Sequence, residues 1–402
     1  MPQFVGPEIL KNKLISKRTR VLRRYQFYDM HVALERSDIP EHLRAITSVL
    51  GWCSKAVDTI ADRLVFRGFD NDYFSMAEIF NANNPDVLAD SAILAALIGS
   101  CSFVYIAPDA DGFPRMRVID GANATGVIDP VTYMLQEGYA VLERDELDQP
   151  VLEAYFMPGA TAFYPAGGKP YVLTNAAPYP LLVPVIYRPD ATRPFGHSRI
   201  SRACMDLTLE AMRTLRRAGV AGEFYSYPQR YVLGMNSDAE EFDKWQAVVS
   251  SFLRIDKDED GDKPVVGQFQ QQSMTPYSDQ IRMIAGLFAA ETGMTLDDLG
   301  LPTQNPSSAD AIKASHEQLR LTARKAQRTF GTGLRNVGYL SACIRDDYPY
   351  LRKQVYMTDI LWEPIFEPDA SQLSGIGDAV VKIQQSFPDY FDERKLRDLT
   401  GI

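Results

Sequence analysis

The spacing of apolar residues predicts helices in the first part of the chain. Residues 7–35 show helical spacing, with Pro7 at the start and many Lys and Arg side chains. We interpret these cations as a solvated face or, alternatively, as a surface for an acidic protein or nucleic acid. Apolar residues in 42–66 recur at steps of three and four, which predicts one amphipathic helix stopped by Gly68. A further helix is predicted over residues 86–99.

The pattern then changes to one typical of strands. Residues 102–175 contain short runs of β-branched and aromatic residues separated by Gly, Pro and Asp, which predicts an antiparallel meander. The Pro-rich stretch 179–198 is predicted to be an extended connector. Helical spacing returns in 198–226 and again from about residue 278, with a mixed helix, loop and strand segment between them. These elements define an α+β protein.

Residues 305–344 are predicted to form one long helix that begins at Ser307 or Ser308. At about 1.5 Å per residue, the helix would extend about 60 Å. Lys and Arg crowd most of its surface, and its apolar residues form a narrow seam. We therefore expect it to be under-buried in a single copy and to contact neighbouring helices along a line. The seam consists of Ile312, Leu319, Ala323, Ala326, Phe330, Leu334, Val337 and Ile344.

Glycines inside this helix carry a second prediction. Gly331, Gly333 and Gly338 each weaken a helix interior by about 1 kcal/mol relative to Ala. Their presence predicts a bend or a close approach of another helix. The alternative for the whole segment is a long surface helix of an ordinary enzyme.

Composition and charge narrow the classes of function. The chain has 402 residues, 46% of them hydrophobic and 23% charged, which allows a substantial core. Its net charge of -10 disfavours a tight, sequence-independent grip on DNA, because that grip requires Lys and Arg against phosphates. DNA could still pass by such a surface. No signal-peptide run or membrane-length apolar stretch is present, so we expect a soluble protein made in the cytosol.

Cysteine spacing and local motifs predict no metal site and no catalytic residue. Cys53, Cys101, Cys204 and Cys343 form no CxxC pair and are expected to be reduced and buried. Residues 256–264 match half of an EF-hand loop but lack its bidentate Glu. We interpret this segment as a solvated acidic loop, with weak cation binding as the alternative.

Three further motifs fail the patterns that they partly match. These are Gly168-Lys169-Pro170 for a P-loop, His316-Glu317 for a zinc-protease helix and Gly196-His197-Ser198 for a nucleophile elbow. The four histidines lie in unrelated segments and are interpreted as ordinary imidazoles. No cofactor is predicted. The absence of a chemical signature favours a structural role without excluding an enzyme.

Four segments in order along the chain carry a family likeness. They are VDTIADRLVFRGF (57–69), the run from VPVIYRP to EFYSYPQRYVLG (183–234), NPSSADAIKASHEQLRLTARKAQRTFG (305–331), and ILWEPIFEP with DAVVKI (360–383). Together they resemble the portal proteins of tailed bacteriophages, in the branch found in phages of Gram-positive hosts. Asp62 and Asp310 stand where that family commonly has Glu. The family usually continues into a longer helical crown, so we expect a minimal crown here.

The resemblance implies a portal-type fold with long stem and channel helices, an antiparallel β-rich wing and a small α/β clip. The implied parts are a wing over 1–197, a stem helix over 198–226, the clip over 227–277, a second stem helix over 278–299, a tunnel loop over 300–309, the long channel and crown-directed helix over 310–346, a wing return strand over 347–369 and a short helical crown over 370–402.

The resemblance also implies a function. Portal proteins form a ring, typically a dodecamer, at one capsid vertex, through which DNA is packaged and ejected. The implied partners are copies of itself, the major capsid protein, scaffolding protein, large terminase, head-tail adaptor and the double-stranded DNA in the channel, with no membrane. The protein would assemble in the host cytoplasm, reside in the virion and not be an enzyme. The alternatives are a soluble enzyme with a cleft between the β meander and the helices, or another virion neck or minor head protein.

Two sets of contact residues follow from the resemblance. The DNA channel and tunnel loop would use Leu301, Pro302, Thr303, Gln304, Asn305, Ser307, Ser308, Lys313 and Arg320. The clip would contact the motor and the adaptor through Glu240, Glu241, Trp245, Asp256, Asp258 and Asp260.

Overall fold

The chain divides into two compact units in the computed structural model. The larger unit comprises Met1–His31, Gly51–Met205 and Ala290–Ile402, and the smaller comprises Val32–Leu50 and Asp206–Ala289. The structure describes residues 4–34, 47–226, 230–233, 265–268, 273–301, 314–366, 370–388, 390–392 and 395–396.

Helices and strands alternate in groups, which confirms a mixed helix and sheet protein. The helices are α1 (Pro7–Tyr28), α2 (Trp52–Ala61), α3 (Met76–Asn81), α4 (Pro85–Gly99), α5 (Arg202–Ser226), α6 (Thr275–Thr292), α7 (Glu317–Arg345) and α8 (Ala370–Ser386), with a 3₁₀ turn at Arg352–Val355. The strands are β1 (Phe66–Asp70), β2 (Cys101–Pro108), β3 (Pro114–Asp120), β4 (Ala124–Ile128), β5 (Leu135–Arg144), β6 (Pro150–Met157), β7 (Ala160–Pro165), β8 (Tyr171–Thr174), β9 (Leu182–Ile186), β10 (Arg230–Leu233), β11 (Val265–Gln268) and β12 (Asp359–Trp362).

A five-stranded antiparallel meander forms one part of the larger unit. Its strand order is β4-β5-β6-β7-β8, so consecutive strands are neighbours, as the alternating pattern predicts. Helix α1 packs on this sheet through Leu10 and Leu14, which lie in one core cluster with Tyr139 and Tyr155. The four-residue step between the two leucines places both on one helix face.

The buried carboxylate of Glu137 holds the start of α1. It accepts hydrogen bonds from the backbone N–H of Val5 at 2.8 Å and of Gly6 at 3.1 Å. The hydroxyl of Tyr155 donates to the same carboxylate at 2.7 Å. These donors include N–H groups at the entry of a helix, which have no partner within the helix itself.

The predicted single meander over 102–175 is wrong in one respect, because β2 and β3 belong to a different sheet. That sheet has the order β3-β2-β9. The stretch 179–198, predicted as a connector, supplies β9, in which Pro184 pairs with Phe103 of β2. Proline is tolerated there because β9 lies at an edge and needs no outward N–H. Every residue of β9 is buried, and both α4 and α7 contact the sheet.

The helix predicted over 42–66 is shorter than its pattern. Within the described residues, the helix α2 begins after Gly51 and ends at Ala61. Residues 66–70 form β1, which pairs with β12 from the far end of the sequence. The rings of Phe66 and Trp362 meet edge to face across this pair, with centroids 6.2 Å apart. A partner distant in sequence thus overrides the local helical period.

Helix α7 contradicts the expectation of an under-buried rod. The described helix starts at Glu317, and its 29 residues span about 43 Å. From Phe330 to Ile344 nearly every side chain is buried within the same chain. Helix α7 contacts β9, α3, β12 and β2. Only the part before Phe330 keeps the basic, exposed surface that the sequence predicts.

Gly338 of α7 confirms the predicted close approach of a helix, whereas Gly333 lies against a strand. A Cβ atom at Gly333 would lie 3.2 Å from the Cα of Val185 and 3.3 Å from the carbonyl oxygen of Pro184. A Cβ atom at Gly338 would lie 2.5 Å from the sulfur of Met76 in α3. The neighbouring elements can approach because these positions have no side chain.

The smaller unit contains most of α5 and α6 and the β10–β11 pair. β10 pairs antiparallel with β11, with Arg230 opposite Gln268. Ala211 and Met212 of α5 are buried, as are Ile284 and Phe288 of α6. Among the helices in the described ranges, none is both long and apolar enough to cross a bilayer.

Candidate functional site: a basic groove on the long helix

Most residues predicted for the channel and the clip lie outside the described part of the chain. From the channel set these are Pro302, Thr303, Gln304, Asn305, Ser307, Ser308 and Lys313; from the clip set they are Glu240, Glu241, Trp245, Asp256, Asp258 and Asp260. The described members are Leu301 and Arg320. Leu301 is half-buried in a turn, where its N–H donates to the carbonyl oxygen of Leu296 at 3.0 Å.

A side-chain contact links residues on either side of a segment that includes the predicted tunnel loop, 300–309. The Nε2 atom of His316, which precedes α7, lies 3.5 Å from the Oδ1 atom of Asp298. Burial opposes the charge of Asp298, but hydrogen bonds from the N–H and hydroxyl of Thr295 and the neighbouring His316 outweigh it. The pKa of Asp298 is therefore lower than usual. The contact ties the chain on both sides of residues 299–315.

Arg320 is already engaged within its own helix. Its Nε and a terminal nitrogen each donate to a separate carboxylate oxygen of Glu317 at 2.7 Å. This bidentate pair raises the pKa of Arg320, and the same contact lowers the pKa of Glu317. Such a pair fixes the orientation of the guanidinium. The positive charge of Arg320, which the sequence analysis assigned to the DNA channel, is therefore partly neutralised by Glu317 in the structure.

The first half of α7 borders a groove, which we term the basic groove. Its cavity volume is about 570 Å³. The apolar lining comes from segments far apart in sequence: Tyr133, Pro184, Ile186, Pro189 and Leu321. The cationic lining consists of Arg324, Lys325 and Arg328 of α7. A groove of this size, apolar with a few charged groups, is typical of a site that binds a side chain or small ligand.

The cations of the basic groove lack close acidic partners. Within the described part of the chain, no carboxylate oxygen lies within 4 Å of the charged nitrogens of Arg324, Lys325 or Arg328. All three side chains are exposed. Adjacent unpaired like charges repel one another, so an acidic occupant would be favoured. The sequence reveals Arg324, Lys325 and Arg328 as neighbouring cations. It does not reveal their shared groove, because the groove also needs strand residues whose positions the sequence does not predict.

The described residues form no arrangement for nucleophilic catalysis. Asp190 and His197 pair at 2.5 Å on the surface, and this contact with His197 helps to lower the pKa of Asp190. Ser198, next in the sequence, donates instead to the carbonyl oxygen of Ile98 at 2.6 Å. Within the described ranges, no group of three or more His, Cys, Asp or Glu side chains is arranged to hold a metal ion.

The four cysteines are buried and form no disulfide with one another, as the sequence predicts. Burial raises the pKa of Cys101 to about 12 and that of Cys343 to about 11. Both thiols are therefore protonated at neutral pH, and a protonated thiol is a poor nucleophile. The described residues thus define a mixed helix and sheet protein with a basic groove on its surface.

Comparison with known proteins confirms the resemblance to phage portal proteins. The chain is 25% identical to the portal protein of Mycobacterium phage L5, over 314 residues that cover 73% of this chain and 64% of the relative. The same values hold for the portal protein of Mycobacterium phage D29. The matched region thus spans less than two thirds of these relatives. No protein family model matches the chain.

Similarity to solved structures is weaker. A structure described as the neck of a native GTA particle, computed with C12 symmetry, has a TM-score of 0.44 and 13% identity, with 87% of this chain and 89% of that chain covered. A virion of a native gene transfer agent particle has a TM-score of 0.43 and 11% identity, with 87% and 89% covered. These values are too low to support a functional conclusion.

Proposed function

We propose that this protein is a subunit of a phage portal. In this proposal, copies of the chain form a ring, a dodecamer, at one vertex of the capsid, and the ring is the conduit for DNA packaging and ejection. A separate terminase would hydrolyse ATP and dock first, and a head-tail adaptor would dock after packaging. The observation that carries the proposal is the 25% identity to two phage portal proteins over 314 residues.

The division of the chain supports the assignment of portal parts. The larger unit contains the residues assigned to the channel helix, the crown and most of the wing, while residues 32–50 of the wing lie in the smaller unit. The smaller unit contains the clip and most of both stem helices. In this proposal the clip faces the motor, and the tunnel loop lies beside the DNA. The tie between Asp298 and His316 would anchor that loop at its base.

The net charge of the protein supports a channel through which DNA passes rather than a site that binds DNA tightly. A net charge of -10 per copy disfavours tight phosphate binding, because 52 Asp and Glu side chains outnumber 42 Lys and Arg side chains and repel DNA. DNA could then slide through the ring. Sparse contacts from Lys313 and Arg320 would be transient in this proposal.

Negative-stain images and light scattering of the purified protein test the proposal. A ring with a central bore and a mass of about 540 kDa, for twelve copies of 45.1 kDa, is the expected result. A single copy of 45.1 kDa at every concentration tested would overturn the proposal. ATP hydrolysis by the purified protein alone would favour the enzyme alternative.

A further inference from the structure

The basic groove has the properties of a surface that is covered in an assembly. Leu321 is 49% exposed in it, beside the unpaired cations of Arg324 and Arg328. Exposed apolar surface and uncompensated like charges are both relieved by an occupant that is apolar and acidic. The groove is large enough for more than one aromatic side chain.

The chain itself carries a segment with this chemistry, which we term the aromatic tip: Phe387, Tyr390, Phe391 and Asp392. Phe387 is 66% exposed and Tyr390 is 55% exposed. From Phe387 to Glu393 the sequence FPDYFDE contains three acidic residues and no basic residue. The rings of Tyr390 and Phe391 lie edge to face, with centroids 5.1 Å apart.

The aromatic tip does not fill the groove of its own chain, since none of its residues lines the cavity. Its backbone is held locally instead. Gln384 of α8 donates to the carbonyl oxygen of Phe391 at 3.1 Å, and Lys395 donates to that of Tyr390 at 2.7 Å. Among the described residues, the tip thus has a locally held backbone and two exposed aromatic rings, those of Phe387 and Tyr390.

We propose that the basic groove of one copy binds the aromatic tip of a second copy. Aromatic rings would cover the apolar lining, and Asp392 with its acidic neighbours would face Arg324, Lys325 and Arg328. Groove and tip are different surfaces, so the contact is head to tail and can close into a ring. The inference rests on the proposed portal ring, because it requires adjacent copies.

A peptide titration tests the pairing independently of ring formation. The probe is a fluorescein-labelled peptide of residues 384–393, added to the full chain carrying Phe387→Ala and Tyr390→Ala so that the groove is empty. Binding by fluorescence anisotropy is expected. Adding Arg324→Glu and Arg328→Glu should weaken it by at least about tenfold. The matched control, Arg20→Glu with Arg23→Glu on the exposed face of α1, should change affinity less than about twofold.

Reversing the charges of the peptide as well as those of the groove distinguishes a lost contact from a misfolded protein. A peptide with Asp389→Lys and Asp392→Lys should regain binding to the Arg324→Glu, Arg328→Glu protein. No peptide binding, or equal binding to groove and control variants, would overturn the inference. So would displacement of the peptide by a duplex oligonucleotide. If peptide binds as expected but images show no ring, the proposed portal function fails while the groove–tip pairing stands.

Discussion

At the scale of single residues, Glu137 shows how one buried side chain fixes an element. It is 2% exposed and accepts two backbone N–H groups and a tyrosine hydroxyl. Its role is not visible in the sequence, because the strand pattern around it only indicates alternation. A buried carboxylate is tolerated when its hydrogen bonds replace those of water.

Replacing Glu137 with Gln should destabilise the larger unit. Gln replaces one carboxylate oxygen with an NH₂ group, which cannot accept a hydrogen bond from the N–H and O–H groups around it. Hydrogen bonds to a charged group are worth about 1.5–3 kcal/mol. We expect the free energy of unfolding, measured by urea denaturation, to fall by at least about 1.5 kcal/mol. Glu143→Gln, at an exposed position of the same strand, is the control and should be nearly neutral. Equal effects of the two changes would contradict this role.

The carboxyl of Asp298 predicts a pH dependence. Its pKa in the folded state lies below the unfolded value of about 3.9. Its stabilisation is therefore full above that value and is lost as the pH falls through the folded pKa. Asp298→Asn should lower the urea midpoint at pH 7, and the difference from the unmodified protein should vanish in strong acid. A difference that persists unchanged at low pH would rule out the ionised carboxylate as its source. Asp111→Asn, at an exposed position, serves as the control.

At the scale of elements, the glycines of α7 give a matched pair of substitutions. Gly333→Ala would press a methyl group against the backbone of β9, which cannot move aside easily. Overpacking of this kind costs about 1–3 kcal/mol. At Gly331 the nearest atom, on Ile360, would be 3.4 Å away, an ordinary contact. Gly331→Ala should therefore be neutral or stabilising, since Ala favours a helix by up to about 1 kcal/mol.

Thermal unfolding of both glycine variants measures the contrast. The expected order of midpoint temperature is Gly331→Ala at or above the unmodified protein, with Gly333→Ala clearly below it. The reverse order would mean that α7 does not lie against β9 as described.

The elements also show which part of the fold was accessible from the sequence. Periodicity predicted the existence of α4, α5 and most strands correctly, since each has a clear local pattern. It failed at β9, because a proline such as Pro184 indicates a connector unless the strand is known to lie at the edge of a sheet. It also failed on the burial of α7, since Gly and Tyr on the polar side of a helix do not reveal the partners that cover them. Those partners, such as Met76 and Val185, lie far away in sequence.

At the scale of the whole molecule, the candidate site was only partly predictable. Arg324, Lys325 and Arg328 are neighbours on one helix, and the sequence showed their excess of charge. The apolar lining from Tyr133 and Pro184 depends on the tertiary fold. The residues chosen from family resemblance, including Lys313, remain predictions.

The proposed contact of the channel helix with DNA can be tested in a packaging assay. Lys313→Glu with Arg320→Glu should reduce the amount of DNA packaged in vitro, because reversed charges repel the phosphates that they are proposed to contact. Release of Glu317 from its pair with Arg320 would add to that repulsion. Arg20→Glu with Arg23→Glu provides the same change of charge elsewhere. Unchanged packaging by the Lys313 and Arg320 variant would remove support for these contacts.

The central position of α7 has a consequence for biosynthesis. The ribosome makes α3 and β9 long before residues 317–345, yet these earlier segments pack directly on that helix. Until α7 has been synthesised, the nascent polypeptide exposes the apolar surface that this helix later covers. Such surface promotes aggregation or chaperone binding. A stop codon ahead of position 317 should therefore yield insoluble fragments rather than a smaller working domain.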